Sequence, residues 1–171
     1  MKKIKVCLVI PSLEPGGMER VMSELAAQFA KKENLDVHIV LYGPSREIFY
    51  PLPGNITIHI PGWIFNSKKR RQHGIKTLSF LRKKITSLKP DTVLSFGERW
   101  NNMVLLSLLG TGINIYIADR SQPMKNLGKV HNSLRRWLYP RAEGLILQTV
   151  AAEKIYSSHW PTLKIKVIGN P

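Results

Sequence analysis

Two adjacent glycines stand where the first apolar run of the chain meets a helix-like segment. Residues 4–10 are apolar with one lysine and stop at Pro11, and residues 11–20 read PSLEPGGMER. Backbone N–H groups beside glycine can approach a phosphate closely, and the positive end of a helix dipole attracts an anion. A tight turn that needs glycine only for its backbone is the alternative. The spacing leaves both open and makes Gly16 and Gly17 candidate phosphate-binding residues.

The glycine pair matches neither of the two common nucleotide-binding fingerprints. The dinucleotide motif requires G-x-G-x-x-G, and the P-loop requires G-x-x-x-x-G-K followed by serine or threonine. Residues 16–20 contain neither pattern. The interpretation of the chain as a stand-alone Rossmann enzyme that uses NAD or ATP therefore loses its main support.

The elements around this turn alternate between strand-like and helix-like segments. Apolar runs rich in β-branched residues occupy 4–10, 37–41, 56–60, 92–95, 113–118, 144–148 and 165–168. Such alternation predicts an α/β fold, with a Rossmann-like, doubly wound and mostly parallel sheet of about seven strands and helices on both faces. Ligands of such folds bind at the carboxyl ends of the strands. The glycine turn lies at that edge.

Helical spacing of apolar residues predicts four helices between these strands. The stripes begin at Val21, Ile75, Met103 and Leu127 and end at Ala30, Leu88, Leu109 and Leu138. We expect Arg20 and Glu24 to pair across one turn outside the first stripe. Residues 43–61 have no helical stripe and are rich in proline and glycine, which predicts a hairpin or an irregular sheet edge.

Three motifs in these positions resemble the retaining GT-B glycosyltransferases of the family that contains sucrose synthase and the phosphatidylinositol mannosyltransferases. They are the first strand followed by GGMERV at 16–21, KPDTVL at 89–94, and KVIGNP at 166–171. The resemblance spans the chain and implies that residues 1–171 form the N-terminal, acceptor-binding domain of a longer enzyme. It implies a nucleotide-sugar donor, held mainly by a C-terminal domain that this chain lacks. The chain alone is then expected to be inactive.

The resemblance also suggests roles for individual residues. Gly16 and Gly17 would contact the donor diphosphate. Many relatives carry a histidine after the fifth strand, facing the transferred sugar, and the matching position here is Asp119 or Arg120, the candidate catalytic residues. Arginine there would suit an acceptor or donor phosphate but could not act as a base. Glu98, Arg99 and Arg120 are candidates for the acceptor cleft; ordinary surface charge pairs remain the alternative.

A basic segment in the middle of the chain suggests a second kind of contact. Trp63 and Phe65 precede the run Lys68, Lys69, Arg70 and Arg71. Aromatic rings suit the headgroup region of a bilayer, and nearby basic residues favour an anionic leaflet. These six residues are candidate contacts to an anionic membrane surface that carries a glycan or lipid-linked acceptor. A solvated helix face, with both aromatic rings in the core, is the alternative.

Charge and cysteine content limit the remaining classes. With 26 Lys and Arg against 11 Asp and Glu, the net charge is +15, which attracts polyanions. A basic module that binds nucleic acid is the alternative function, but the interleaved aromatics that it requires are missing, so we expect no nucleic-acid partner. Cys7 is the only cysteine and the histidines lack metal spacing, so we expect no metal and no cofactor.

The same features point to a place in the cell. A single cysteine suits a reducing compartment. The basic N-terminus is followed by an apolar run too short for an export signal, and no stretch reaches the roughly 20 apolar residues that span a bilayer. We expect a cytoplasmic protein at the inner face of the cytoplasmic membrane.

Overall fold

The computed structural model describes residues 2–169, apart from the side chains of Ser67 and Arg70. The end of the KVIGNP motif, Asn170 and Pro171, lies outside the described residues. The strands are β1 (Ile4–Ile10), β2 (Leu35–Leu41), β3 (Thr57–His59), β4 (Thr92–Phe96), β5 (Ile115–Ala118), β6 (Gly144–Leu147) and β7 (Ile165–Val167). The α-helices are α1 (Gly17–Ala30), α2 (Arg70–Leu88), α3 (Glu98–Ser107), α4 (Lys129–Leu138) and α5 (Val150–His159).

The seven strands form one sheet in the order β3-β2-β1-β4-β5-β6-β7, and every pair is parallel. The order reverses beside β1, because β2 lies on one side of it and β4 on the other. Ligands in such sheets bind where neighbouring connections diverge in this way. The predicted wound parallel sheet is confirmed, and its switch point lies beside the glycine turn.

The two faces of the sheet are covered unequally. Helices α2 to α5 pack on one face around a cluster that includes Leu81, Leu105 and Tyr156, all buried. On the other face α1 alone among the described helices supplies buried side chains, with Met22 and Ala26 against the middle strands. Helices therefore lie on both faces, as predicted, but only one covers the second face.

For the segment between β2 and β3, the composition predicted either a hairpin or an irregular sheet edge, and the hairpin is wrong. A hairpin would make the strands antiparallel, whereas His38 pairs with Thr57 in a parallel register. The other alternative, an irregular edge, is confirmed. The segment runs back along residues 11–13, where Gly43 N–H donates to Pro11 O at 2.7 Å and Phe49 N–H donates to Leu13 O at 3.0 Å.

Three details of the predicted helices also differ. Ile75, where the second predicted stripe begins, and Val130, inside the fourth stripe from Leu127 to Leu138, are each 71% exposed. Trp137, also inside the fourth stripe, is 44% exposed beneath the Arg141 guanidinium. Helix α3 begins at Glu98, before the apolar stripe, and α5 was predicted by no stripe. Periodicity places residues on one face of a helix, but it cannot show how far a neighbouring element covers that face. The ion pair predicted across one turn of α1 is confirmed, with Arg20 Nε donating to Glu24 Oε1 at 2.8 Å.

Candidate functional site

The glycine turn connects β1 to α1 at the carboxyl edge of the sheet. Gly16 is the N-cap residue in an extended conformation, and Gly17 is the first residue of α1. Gly17 faces open space, since a β-carbon built on it would meet no other group within 4 Å. The first amides of a helix have no partner within that helix. Gly17 is therefore an exposed residue at the start of the helix, with no side chain packed over its α-carbon.

The Gly16 N–H already has a hydrogen-bond partner, whereas the sequence predicted that both glycines would offer backbone N–H groups to a phosphate. This N–H donates to the Tyr50 hydroxyl at 3.2 Å, and that hydroxyl donates to Gly16 O at 3.1 Å. The Glu19 carboxylate folds back over the same residue, 2.2 Å from the position that a β-carbon on Gly16 would take. An unpaired amide at a helix end takes the nearest oxygen. The Tyr50 hydroxyl therefore satisfies the Gly16 N–H, and the Glu19 carboxylate occupies the space beside this residue.

A cavity of about 400 Å³ adjoins the turn. Its lining residues come from three junctions at the carboxyl edge: Met18, Gly97, Glu98, Arg99, Trp100, Lys125, Asn126 and Leu127. Gly97 has φ +96°, and a β-carbon there would lie 3.0 Å from Trp100 Cδ1 and 3.1 Å from Met18 Sδ. Only glycine fits this backbone conformation and this close approach without strain. Gly97 thus lets the start of α3 pack against the glycine turn, and the cavity lies between them.

Glu98 is buried and holds the loop that follows β5. Its Oε1 accepts from Arg120 N–H at 3.0 Å, from Ser121 N–H at 2.7 Å and from the Ser121 hydroxyl at 2.8 Å. A carboxylate that accepts several N–H and O–H donors is well satisfied at such a position. This oxygen of the predicted acceptor-cleft residue is thus used to hold the backbone of residues 120 and 121.

Asp119 lies at the centre of a buried polar network. Its Oδ1 accepts from Asn101 Nδ2 at 2.9 Å and from the Tyr139 hydroxyl at 2.7 Å, and its Oδ2 accepts from the Tyr156 hydroxyl at 2.6 Å. The residue is 4% exposed. Burial raises the pKa of Asp119 to about 6, and the nearby charge of Glu98 adds to the rise. Asp119 therefore ties β5 to α3, α5 and the short 3-10 turn Tyr139–Arg141.

Arg120 faces a different cavity from Arg99. Its guanidinium lies 4.9 Å from the centre of the Phe96 ring, and burial lowers its pKa. It lines an apolar cleft of about 600 Å³ between α1 and the sheet, together with Leu25, Phe96 and Ile168. Arg99 is exposed and contacts His131, with Arg99 Nε 3.3 Å from His131 Nε2. The structure thus brings Glu98 and Arg99 to the cavity beside the glycine turn, and Arg120 to the apolar cleft.

Sequence reasoning did not single out several residues of this edge. Lys125 lies in the cavity with Arg99, and Tyr50 contacts the glycine turn. Lys125 belongs to a loop after a predicted strand, which is a signal that could have found it. Tyr50 lies in a segment without periodicity, where no local pattern predicts a contact 34 residues away. The two tyrosines that bind Asp119 gave no signal either.

The predicted membrane contacts lie away from this cavity, in the segment after β3 and at the start of α2. Trp63 is half-buried, with its ring packed edge-on against Phe80 at 5.6 Å, and Phe65 is 40% exposed beside His73. Lys68, Lys69 and Arg71 are exposed, and the Arg70 side chain lies outside the described part. Neither aromatic residue is fully in the core.

The described residues, 2–169, contain neither a metal-binding cluster nor a membrane-spanning helix. No group of three or more His, Cys, Asp or Glu side chains in this range is arranged to hold a metal ion. Within the same residues, no helix has both the length and the apolar composition that a bilayer crossing requires.

Comparison with known proteins gives the family. The model of Glycosyltransferase Family 4 matches residues 15–171. A curated relative from Campylobacter jejuni, GalNAc-alpha-(1->4)-GalNAc-alpha-(1->3)-diNAcBac-PP-undecaprenol alpha-1,4-N-acetyl-D-galactosaminyltransferase, is 24% identical over 170 residues, covering 98% of this chain and 46% of the relative. The chain therefore spans about half the length of this relative.

Solved structures show the same architecture. The chain superimposes on UDP-GlcNAc 2-epimerase from Neisseria meningitidis bound to UDP-GlcNAc with a TM-score of 0.71 and 16% identity, covering 98% of this chain and 46% of that one. Sucrose-phosphate synthase from Thermosynechococcus elongatus gives a TM-score of 0.74 at 8% identity, covering 98% and 48%. At these identities the likeness establishes the fold alone. Together with the family match, it shows that the chain belongs to Glycosyltransferase Family 4 and has the fold of an N-terminal GT-B domain.

Proposed function

We propose that the protein containing this domain transfers a sugar from a nucleoside diphosphate to a hydroxyl group of a glycan or lipid-linked acceptor, with retention of anomeric configuration. Family membership supports glycosyl transfer. The name of the Campylobacter relative describes action on an undecaprenol-linked glycan, which supports the acceptor class. In this proposal, residues 1–171 supply the acceptor side, and a C-terminal domain holds most of the donor.

The observation that carries the proposal is the continuity between the glycine turn and the cavity beside it. Met18 belongs to the first turn of α1 and also lines the cavity. A donor diphosphate at the Gly17 amide would therefore place its sugar at the mouth of that cavity. Arg99 and Lys125 line the same cavity and could neutralise the phosphates of an acceptor.

The proposal gives the two carboxylates after β4 and β5 a positioning role. Asp119 anchors the end of β5, and Glu98 holds the backbone of Arg120 and Ser121. Closure of a second domain over this edge would exclude water that could hydrolyse the donor. The chain by itself would lack most of the donor-binding residues, so we expect it to be inactive.

Substitution of Gly17 in the full-length protein tests the donor site. Gly17→Ala adds a methyl group into open space, so the fold should be kept while an anion is held away from the amide. Loss of a hydrogen bond to a charged group lowers kcat/KM for the nucleotide sugar by about tenfold or more. The assay follows label from a panel of nucleoside-diphosphate sugars to an undecaprenol-linked glycan.

Gly54→Ala is the matched control, because a β-carbon on Gly54 also meets nothing within 4 Å and Gly54 is remote from the turn in sequence. Its kcat/KM should equal that of the unmodified protein. Arg99→Ala and Lys125→Ala should raise KM for the acceptor and leave KM for the donor unchanged. Equal activity of the Gly17→Ala and Gly54→Ala variants would contradict the proposed donor site.

A further inference from the structure

Arg99 is held at the cavity beside the glycine turn by a histidine. The Arg99 Nε–H donates to Nε2 of His131, with 3.3 Å between the two nitrogen atoms. Arg99 is the second residue of α3 and His131 is the third residue of α4, so the contact joins two helices. The terminal nitrogens of Arg99 have no hydrogen-bond partner within residues 2–169. One N–H group of the guanidinium is thus engaged, and the other four remain for a ligand of the cavity.

His131 meets this arginine as a neutral ring. A neutral imidazole carries its proton on one nitrogen and accepts at the other, whereas the protonated ring carries N–H at both and cannot accept. Because Nε2 accepts from Arg99, the proton of His131 belongs to Nδ1. Burial lowers the pKa of His131, and the positive charge of Arg99 lowers it further. The ring therefore stays neutral at neutral pH.

A buried asparagine holds the backbone of this histidine. Asn102 is 1% exposed, and its Nδ2 donates to His131 O at 2.9 Å. Asn102 lies three residues after Arg99, so the helix that carries the arginine also binds the histidine backbone. His131 Nδ1 is buried and has no hydrogen-bond partner in the described part of the chain. An unpaired buried N–H costs stability, so packing alone does not account for this side chain.

The partner of Arg99 differs in charge from the partner of Arg20. Arg20 Nε donates to the Glu24 carboxylate, which neutralises the guanidinium. Neither Arg99 nor Lys125, the two cations of the cavity, forms an ion pair with a carboxylate of residues 2–169. A carboxylate partner competes with a phosphate for the same N–H groups, whereas a neutral ring orients the arginine and leaves its charge for the ligand.

We propose that His131 is a positioning residue, which holds Arg99 at the cavity without neutralising it, so that the guanidinium binds a phosphate group of the acceptor. This inference rests on the proposed role of the cavity as the acceptor side. The planar guanidinium can bind two oxygen atoms of a phosphate at once, and that geometry requires a fixed orientation of its plane. His131 therefore affects acceptor binding through Arg99, and it contacts neither the donor nor the reacting atoms.

The first experiment measures, in the 171-residue chain, whether His131 holds Arg99. The Nε–H signal of Arg99 is assigned by its loss in Arg99→Lys, and its exchange with water is followed by nuclear magnetic resonance. Exchange should be about fivefold faster in His131→Ala, because the hydrogen bond that protects this group is lost. His131→Gln keeps a neutral acceptor and should exchange as slowly as the unmodified chain. Equal exchange in all three proteins would overturn the proposal.

The second experiment follows transfer to the undecaprenol-linked glycan by the full-length protein. His131→Ala should raise KM for the acceptor about fivefold and leave kcat and KM for the donor unchanged, since one hydrogen bond to Arg99 is lost. His131→Gln should keep KM for the acceptor within about twofold of the unmodified value. His159→Ala, at an exposed histidine of α5, is the matched control and should change none of these constants. A purely structural role would instead change kcat and both KM values together in His131→Ala.

His131→Glu separates orientation from charge. This variant keeps an acceptor for the Arg99 N–H but adds a carboxylate that pairs with the guanidinium. KM for the acceptor should therefore rise about tenfold or more, although Arg99 is held at least as firmly. Equal KM values for His131→Glu and His131→Gln would show that the neutrality of the ring has no role, and would overturn the proposal.

The Arg99→Ala background tests whether the histidine acts through the arginine. With Arg99 removed, His131→Ala should raise KM for the acceptor no further, because the two residues act as one unit. A further fivefold rise would mean that His131 acts by another route. The proposed function fails in a different way, if the full-length protein transfers no sugar at all. Sugar transfer with an acceptor KM that His131→Ala leaves unchanged would refute the positioning role alone.

Discussion

The turn after β1 and the turn after β5 lie at the same edge of one sheet, yet their polar groups are satisfied in opposite ways. After β1, the Gly16 N–H has one hydroxyl partner and Gly17 faces open space. After β5, Glu98 accepts two backbone N–H groups, and the carboxylate of Asp119 accepts from an amide and two hydroxyls. The first turn leaves Gly17 exposed, whereas the polar groups of the second are paired within the protein.

The difference between the two turns follows from the helices that pack beside them. Side-chain partners for the β5 turn come from α3, α5 and the 3-10 turn, all on the more heavily covered face. The β1 turn leads into α1, the one described helix that packs on the other face. The Tyr50 hydroxyl is the side-chain partner that the structure shows for the Gly16 N–H of this turn. The three predictions below test this contrast between a filled and an open turn.

The largest effect is expected from removal of the carboxylate at the centre of the filled turn. Asp119→Ala would leave the Tyr156 hydroxyl without its acceptor, and would leave the Tyr139 hydroxyl and the Asn101 amide only the carbonyl oxygens of Glu98 and Ala118. Buried groups without partners cost about 1–3 kcal/mol each, so the free energy of unfolding should fall by about 3 kcal/mol. Urea denaturation followed by circular dichroism measures it. The control is Glu14→Ala, at an exposed carboxylate beside the open turn, and it should change stability by less than about 0.5 kcal/mol.

A second, smaller effect concerns pH. Burial raises the pKa of Asp119 from 3.8 to about 6, so between these values the native state binds more protons than the unfolded state. The contribution of this group to stability is therefore complete below pH 3.8 and is lost as the pH rises through about 6. Asp119→Asn removes this titration.

The measurement is the difference in unfolding free energy between the unmodified chain and Asp119→Asn, taken across the acidic range. On acidification from pH 7 to pH 5, the unfolding free energy of the unmodified chain should rise relative to that of Asp119→Asn. Titrations that both proteins share cancel in the difference. Because the Glu98 charge adds to the raised pKa, Glu98→Gln should lower the apparent midpoint of that shift. A pH-independent difference would mean that Asp119 has the same pKa in both states.

The smallest effect compares two glycines across the cavity. Gly97→Ala forces a side chain into φ +96° and toward Trp100 and Met18, so stability should fall by about 1–2 kcal/mol. Gly17→Ala meets nothing and reduces the freedom of the unfolded chain, so stability should be equal or higher by about 0.4–1 kcal/mol. Thermal unfolding separates the two variants. A loss at Gly17 as large as that at Gly97 would show that the turn after β1 is filled as well.

Much of the fold was predictable because its signals are local. Apolar runs of β-branched residues predicted all seven strands, and the proline and glycine content of residues 43–61 predicted the irregular edge. The parallel pairing of β3 with β2 was not predictable from that segment, since composition does not determine the direction of the returning chain. Helix α5 was missed because it lacks a clear apolar stripe.

The candidate site was predictable only in part. The glycine pair could be placed at a strand-to-helix turn, and its resemblance to a family could be stated before any coordinates. The sequence could not predict that Arg99 and Arg120 line different cavities. Each residue follows a strand end, and the sequence does not say toward which face of the sheet its side chain points. The roles of Glu98 and Asp119 depend on partners 18 to 37 residues away.

By itself the sequence determined the alternation of strands and helices, the glycine turn at the end of β1, and the block of positive charge in the middle of the chain, since each depends on neighbouring residues. Only the tertiary structure decided that Tyr50 and Glu19 cover Gly16, that Asp119 is enclosed by two tyrosines, and that His131 accepts a hydrogen bond from Arg99. The physical reason is that burial and hydrogen bonding are properties of surfaces that meet in space, and such surfaces are assembled from distant parts of the chain.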